Sequence, residues 1–278
     1  MTWDGAPAPD PVRIGPRAVL RALRRGVPVV VVVAGGLFLL SLVRLIERPL
    51  CGLNRPVTPW ITQGVCRAGL FLMGIRRVVR GTVMTGTGAV VANHVSWLDI
   101  FALNASKRIY FVSKSEVAGW PGIGLLARAT GTLFIRRDPR EARVQAQTME
   151  DRLRAGHRLL FFPEGTSTDG VRLLSFKTTL FAAFFSPALS GAMQVQPVTL
   201  IYRAPPDEAA AFYGWWGEQS VTDHMLRMLV APRHGVIEVV YHAPLRVAAF
   251  VDRKALARAA EEVVRTELRA AGVLMTDA

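Results

Sequence analysis

Two long apolar stretches open the chain, and short apolar runs alternating with amphipathic segments follow them. Val27 to Val43 (VPVVVVVAGGLFLLSLV) is 17 residues without a charge. Wound as a helix it spans about 25 Å, a little short of a hydrocarbon core of about 30 Å. Pro59 to Ile75 (PWITQGVCRAGLFLMGI) is the second stretch, interrupted by Arg67 and followed by Arg76, Arg77 and Arg80. The first stretch runs on into Arg44, Leu45, Ile46 and Glu47 with no Ala-x-Ala-like cleavage site, which predicts an uncleaved anchor rather than a signal peptide. Arginines flank both stretches at both ends, so the positive-inside rule gives no single orientation. Two helices dipping into one leaflet, with both ends on the cytoplasmic face and the basic flanks on anionic headgroups, fit the pattern more easily. Two buried core helices of a soluble domain are the plainer alternative.

From Gly81 onward the period changes. Six runs read as strands: AVVAN (89–93), RIYFVS (108–113), TLFIRR (132–137), HRLLFFP (157–163), VQPVTLIY (195–202) and VIEVVYH (236–242). Residues 139–155 read as a helix, and Asp252 to Gly272 as a C-terminal amphipathic helix. Strands alternating with helices predict an α/β fold, a mixed sheet flanked by helices, with the N-terminal pair as a membrane-associated two-helix module. The expected organisation is a basic polar tail over 1–26, the membrane-associated helical module over 27–80 and the α/β domain over 81–278.

Composition sharpens this picture. With 51% hydrophobic residues and a mean hydropathy of +0.28 over 278 residues, wholesale disorder is excluded and a sizeable core is expected. The net charge of +13 favours an anionic partner such as lipid or a CoA-like substrate. A nucleic-acid partner is not expected, because the cations gather on no single helix and no binding motif is present. Cys51 and Cys66 lack metal spacing; a disulfide is allowed but not required. His224, His234 and His242 are scattered without metal-ligand spacing, so no metal site is expected, and His157 reads as a surface or edge residue at a strand start.

The sharpest chemical feature is NHVSWLD, which puts His94 five residues before Asp99 directly after a strand. On one regular helix these positions lie about 140° apart. His94 must then sit in the loop before a helix, with Asp99 in its first turns reaching back. Asp99 fixes the tautomer, and the other ring nitrogen is left to take a proton from a hydroxyl. The alternative is a structural loop pair. No G-x-S-x-G elbow accompanies it, and neither cysteine sits where its thiol would be activated, so the nucleophile belongs to the substrate. The loop FPEGTSTDG (162–170) also follows a strand and offers backbone N–H groups and hydroxyls to phosphate or alcohol oxygens, unless it is a plain strand–helix turn. Arg136 and Arg137 close the strand GTLFIRR. Pro197, inside VQPVTLIY, implies an edge or a bulge rather than a central strand interior.

In this order the four blocks resemble the glycerolipid acyltransferases of the 1-acylglycerol-3-phosphate acyltransferase (PlsC-type) family. The family's blocks stand here as His94 with Asp99, Phe134 to Arg137, Phe162 to Thr166, and Val195 to Val198. The resemblance covers about residues 80 to 245, and a two-helix membrane module is typical of the family. It implies that His94, oriented by Asp99, deprotonates the free hydroxyl of a lysolipid, whose oxygen attacks the thioester of acyl-CoA or acyl-carrier protein without a covalent acyl-enzyme. It implies further that Arg137 holds the acceptor headgroup, that Glu164, Gly165 and Thr166 complete the acceptor pocket with the Pro197 block, and that Lys114 assists. No metal or redox cofactor is implied.

One departure bears on the acceptor. Many phosphatidic-acid-forming members carry an arginine after Glu-Gly-Thr, where this chain has Ser167 followed by Thr168-Asp169-Gly170. Bacterial relatives with a similar continuation include enzymes that acylate lyso-ornithine lipid, and residues 211–226 resemble that neighbourhood of both subgroups. The abundance of basic residues near the other blocks places phosphatidic acid formation first and lyso-ornithine lipid acylation second. A non-catalytic membrane protein of the same fold and a thioesterase are the readings from other classes. The expected location is the bacterial inner membrane, with the catalytic domain facing the cytoplasm.

Overall fold

A computed structural model describes residues 3–275 apart from residues 8, 10, 11, 13, 87, 137, 138 and 188. One mixed sheet organises the chain. Its strands are β1 (Arg76–Gly81), β2 (Gly88–Ala92), β3 (Tyr110–Lys114), β4 (Leu133–Ile135), β5 (Leu159–Phe161), β6 (Gln194–Arg203), β7 (Val236–Tyr241) and β8 (Leu245–Arg246). They lie in the order β1-β7-β6-β2-β5-β3-β4, with β8 beside β6. Strands β2 to β6 run parallel to one another; β7 and β8 are antiparallel to β6, and β1 is parallel to β7.

The unbroken apolar run of β2 follows from burial on both faces. On one face Val90 and Ala92 pack with residues of α2 (Thr58–Met73), α3 (Leu98–Ser106) and α6 (Val221–Val230), the helical numbering starting from α1 (Pro16–Cys51). On the other face Ala89 and Val91 meet α5 (Ala142–Arg154), the short helix Leu180–Phe185 and α7 (Arg253–Ala270), α4 being Ile123–Thr130. Strand β1 is absent from the sequence expectation because its sequence RRVVRG suits a charged, exposed sheet edge rather than a core. The two-residue β8 carries no period at all.

Three expectations change. Helix α1 begins at Pro16, so the last eleven residues of the presumed polar tail are helical. The reason is contact: Arg21 Nε donates to the Val230 carbonyl at 2.7 Å, and the buried Arg25 donates to those of Ala231 (2.6 Å) and Leu229 (3.2 Å). These guanidinium groups satisfy the orphan carbonyls at the C-terminus of α6 and complement its dipole. Arg25→Ala should lower the unfolding free energy by about 1–3 kcal/mol, read as a lower thermal midpoint in detergent.

Pro197 lies inside β6, a central strand between β7 and β2, in register with Val91. It is tolerated because its backbone polar groups face the gap between β7 and β8, where the His242 N–H donates to the Pro197 carbonyl at 3.1 Å. His157, expected at the surface, is buried; it stacks on Tyr110 with ring centroids 4.3 Å apart. Both cysteines are free thiols.

Helix α1 is long and apolar enough to cross a membrane by length and composition. It is nonetheless tied to the α/β domain near both ends. Arg21 and Arg25 hold α6 at the start, and past its end Arg55 donates to the Ala129 carbonyl of α4 at 2.7 Å. Along the way Val30, Val31, Phe38, Leu45, Ile46 and Leu50 stand exposed, as do Trp60 and Phe71 of α2. The opposite side of α2 buries Cys66, Leu70 and Met73 in the core. The pair thus has one apolar side left exposed and one side buried against the domain.

Candidate active site

The site is built at the carboxyl edge of the parallel strands, where β2 and β5 end side by side. After Ala92 the chain leaves the sheet through Asn93, whose amide imitates one more strand residue. Its Oδ1 accepts from Leu200 N–H (2.8 Å) and its Nδ2 donates to the Leu200 carbonyl (3.0 Å). His94 is thereby placed in the loop, and α3 starts at Leu98 with Asp99 in its first turn. His94 Nδ1 and Asp99 Oδ2 are 2.6 Å apart, and the same oxygen accepts from Val95 N–H (2.7 Å) and Ser96 N–H (3.2 Å). Those donors and the N-terminal end of α3 surround a carboxyl group that has no solvent exposure. An ionised Asp99 makes Nδ1 the protonated nitrogen, which leaves Nε2 with a lone pair on a ring that keeps 18% of its surface open. This is the geometry of a general base and its orienting carboxylate.

Two further groups hold the His94–Asp99 pair. Tyr202, on β6, donates its hydroxyl to Asp99 Oδ1 at 2.5 Å. Phe162 stacks flat on the imidazole, with centroids 4.0 Å apart and planes 9° from parallel. Phe162 stood inside a recognised block; Tyr202 had no local signal, since only the pairing of β6 with β2 brings it to Asp99.

The loop after β5 locks onto the His94 loop. Glu164 is buried, and its two oxygens accept from the backbone N–H groups of His94 (2.7 Å) and Leu174 (2.9 Å). Burial pushes its carboxyl pKa up to about 8 against the pull of those two N–H groups. Its carboxyl group thereby ties the His94 loop to the loop after β5. Gly165 adopts φ +74°, and Gly170 adopts φ +79° where a Cβ would come within 2.8 Å of Val95. Thr168 N–H donates to the His94 carbonyl at 3.0 Å. Ser167 is buried and spends its hydroxyl proton on the Trp215 carbonyl at 2.6 Å, while Trp215 N–H reaches the Val95 carbonyl at 2.9 Å. Residues 211–219 are thus a third wall, joined to the His94 loop and to the loop after β5. Thr166 is half-buried, and its hydroxyl reaches the neighbouring Ser167 carbonyl at 3.3 Å.

The other expected residues divide. Lys114 ends β3 and is half-buried at the same sheet edge, and Arg136 follows β4 and pairs with Glu141 at 2.7 Å. Arg137 lies outside the described residues. Pro197 is buried within the sheet, a structural position rather than a substrate-facing one. Cys66 is no rival nucleophile, because burial pushes its thiol pKa up to about 12. His224 is a buried structural residue: its Nδ1 accepts from Trp97 Nε1 at 2.8 Å and its Nε2 reaches the Tyr213 carbonyl at 3.1 Å. Among the described residues no three His, Cys, Asp or Glu side chains gather as a metal site.

The sequence pattern of the acyltransferase family matches residues 76–201, which spans the His94 loop, the loop after β5 and Tyr202's strand up to Ile201. A lyso-ornithine lipid O-acyltransferase of Rhodobacter capsulatus is 56% identical over 95% of this chain and 96% of its own length. One from Pseudomonas aeruginosa is 37% identical over 90% of this chain and 95% of its own. The crystal structure of the 1-acyl-sn-glycerophosphate acyltransferase PlsC from Thermotoga maritima superposes with a TM-score of 0.64 at 19% identity, covering 94% of this chain and 98% of that one, and so shares the fold. The chain belongs to the acyltransferase family.

Proposed function

We propose that the chain transfers an acyl group from acyl-carrier protein or acyl-CoA to the free hydroxyl of lyso-ornithine lipid, giving ornithine lipid. The reaction assigned to the site is a single displacement. His94 Nε2 accepts the hydroxyl proton as the acceptor oxygen bonds to the thioester carbonyl carbon. The tetrahedral intermediate then expels the thiolate, which recovers the proton from the imidazolium. Asp99 compensates the passing positive charge, and Glu164 keeps the His94 loop against the Gly165–Gly170 loop.

The observation that carries the choice of acceptor is the placement of Ser167. Its hydroxyl is turned inward onto the Trp215 carbonyl, so this position offers no cation to a phosphomonoester. The near-full-length likeness to lyso-ornithine lipid acyltransferases supports the same reading and reverses the order of the two acceptors expected from the sequence. Lys114, Arg137, Gly165 and Thr166 remain assigned to the acceptor side. The test uses detergent-solubilised protein with labelled acyl-CoA or acyl-carrier protein, and either lysophosphatidic acid or lyso-ornithine lipid. We expect ornithine lipid by mass spectrometry, with phosphatidic acid at least about tenfold slower, the discrimination that about 1.4 kcal/mol supplies. Phosphatidic acid as the main product would restore the phosphomonoester acceptor, and free fatty acid without acceptor would favour a thioesterase.

The same reading puts the enzyme on the cytoplasmic face of a bacterial inner membrane, lying on one leaflet. A helix of 36 residues is about 54 Å long. Crossing the bilayer would require one end to leave the domain that holds both. The exposed stripe of α1 and α2 instead suits burial to the depth of the acyl chains, with the domain remaining in water.

A further inference from the structure

The turn joining α1 to α2 lies at the amino edge of the sheet, opposite the catalytic loops. It rests near the starts of β3 and β5 and the end of α4. Three half-buried guanidinium groups converge there. Arg55 donates to the Ala129 carbonyl at 2.7 Å, and its guanidinium lies so near Gly131 that a Cβ there would meet it at 2.8 Å. Arg152 donates to the Gly131 carbonyl at 2.7 Å, to His157 Nδ1 at 2.6 Å, and lies over the Tyr110 ring at 4.9 Å. Arg44 donates to the Gly52 carbonyl at 2.9 Å, and its charge acts on Arg55, Tyr110 and His157.

The opposing charge is Glu47, and its oxygens are already filled by Val57 N–H, Thr58 N–H, the Thr58 hydroxyl and Arg44. Among the described residues Arg44 and Arg55 thus share this occupied carboxylate and Arg152 adds a third half-buried cation beside them; like charges left so are costly. The Nε2 of His157, a residue 95% buried, makes no hydrogen bond of ordinary geometry, with the Leu53 carbonyl beside it. Its burial and the neighbouring arginines push it down to about 4, so it is a neutral ring with an N–H to donate. The rim is apolar and exposed at Leu50, Leu53, Val57 and Trp60, with Arg108 3.9 Å above the Trp60 ring. Aromatic and cationic side chains beside exposed apolar ones mark the depth of lipid headgroups.

We infer that Arg44, Arg55 and Arg152, with Tyr110 and His157, form a site for a phosphate group beneath the hairpin turn, separate from the acyl-transfer site. Guanidinium groups match tetrahedral oxyanions through paired donors, and the ligand supplies the charge that Glu47 does not. The phosphate comes from an anionic phospholipid headgroup or from free phosphate. At the headgroup level a lipid would also bury the apolar rim and fix the hairpin against the domain.

The experiment is thermal unfolding of the full-length protein in non-ionic detergent micelles. The micelles are doped with phosphatidylglycerol or phosphatidylcholine; separately, undoped micelles receive potassium phosphate or potassium chloride at equal ionic strength. The wild type should gain about 2–4 °C from phosphatidylglycerol over phosphatidylcholine. Arg55→Gln and Arg152→Gln should each remove that gain, while Arg258→Gln, an exposed charge on α7, should keep it. Arg55→Lys preserves the charge and should keep only part of it, which covers the case of a poorly folded glutamine variant. A gain from inorganic phosphate that Arg55→Gln removes identifies free phosphate as a ligand; its absence beside the lipid gain identifies the headgroup. No gain from either probe in the wild type, or a gain equal in Arg258→Gln, Arg55→Gln and Arg152→Gln, overturns the site.

Discussion

His94→Ala should reduce acyl transfer by about 10²- to 10⁴-fold, the range over which a positioned general base acts, while folding and membrane attachment stay intact. The reasoning rests on how little of His94's side chain the fold uses. Its backbone carries the structural duties: the N–H meets Glu164 and the carbonyl receives Thr168 N–H, and alanine keeps both. Its ring contributes one hydrogen bond to Asp99 and one stacked face to Phe162. Asp99 loses one of four donors in the variant and retains Val95 N–H, Ser96 N–H and the Tyr202 hydroxyl. The loss should therefore appear in kcat, with the thermal midpoint within a few degrees of the wild type. Single-turnover assays with lyso-ornithine lipid in saturating excess separate chemistry from binding. A purified, folded His94→Ala protein that turns over at the wild-type rate would sink the base role. A protein of the same fold without catalytic activity would show no acyl transfer in the parent either, so the parent rate is the control.

How far the site could be read from the sequence depended on whether its contacts were local. The His94–Asp99 arrangement followed from helix geometry alone, because residues five apart lie about 140° apart around a helix and cannot share one face. The central strands were legible as short apolar runs. Strand β1 was not, since a sheet edge in water is built from arginines that read as the basic flank of the second apolar stretch. Pro197 misled for a related reason: proline forbids a strand hydrogen bond, but the break between β7 and β8 leaves that side of β6 locally open. Glu164 was recognisable, but its two backbone contacts were not. A carboxylate in a polar turn suggests a ligand to substrate, and only the fold reveals that both oxygens are taken by backbone N–H groups. Tyr202 stands 103 residues from Asp99, and no spacing rule reaches across that distance. Arg25 and Arg21 looked like part of a solvated basic tail until α6 presented its terminal carbonyls to them.

Asp99→Asn is the second variant with a large expected loss, and the surroundings dictate how the amide must lie. Backbone N–H groups of Val95 and Ser96 point at Oδ2 and cannot turn away, so the amide oxygen has to occupy that position. The amide NH₂ then faces the Tyr202 hydroxyl, which can rotate its proton away and accept instead. His94 Nδ1–H keeps an acceptor, so the tautomer and the ring position survive. The negative charge is lost, and with it the compensation of an imidazolium formed beside a fully buried carboxylate. The expected result is a fall in kcat of about 10²-fold or more, with KM for both substrates nearly unchanged. Tyr202→Phe keeps the charge and removes one donor, so its loss should be smaller, about tenfold for a charged hydrogen bond of about 1.5 kcal/mol. The ordering is the test. Equal losses in the two variants would mean that Asp99 serves only to place the ring, and a KM rise without a fall in kcat would move the dyad from chemistry to acceptor binding.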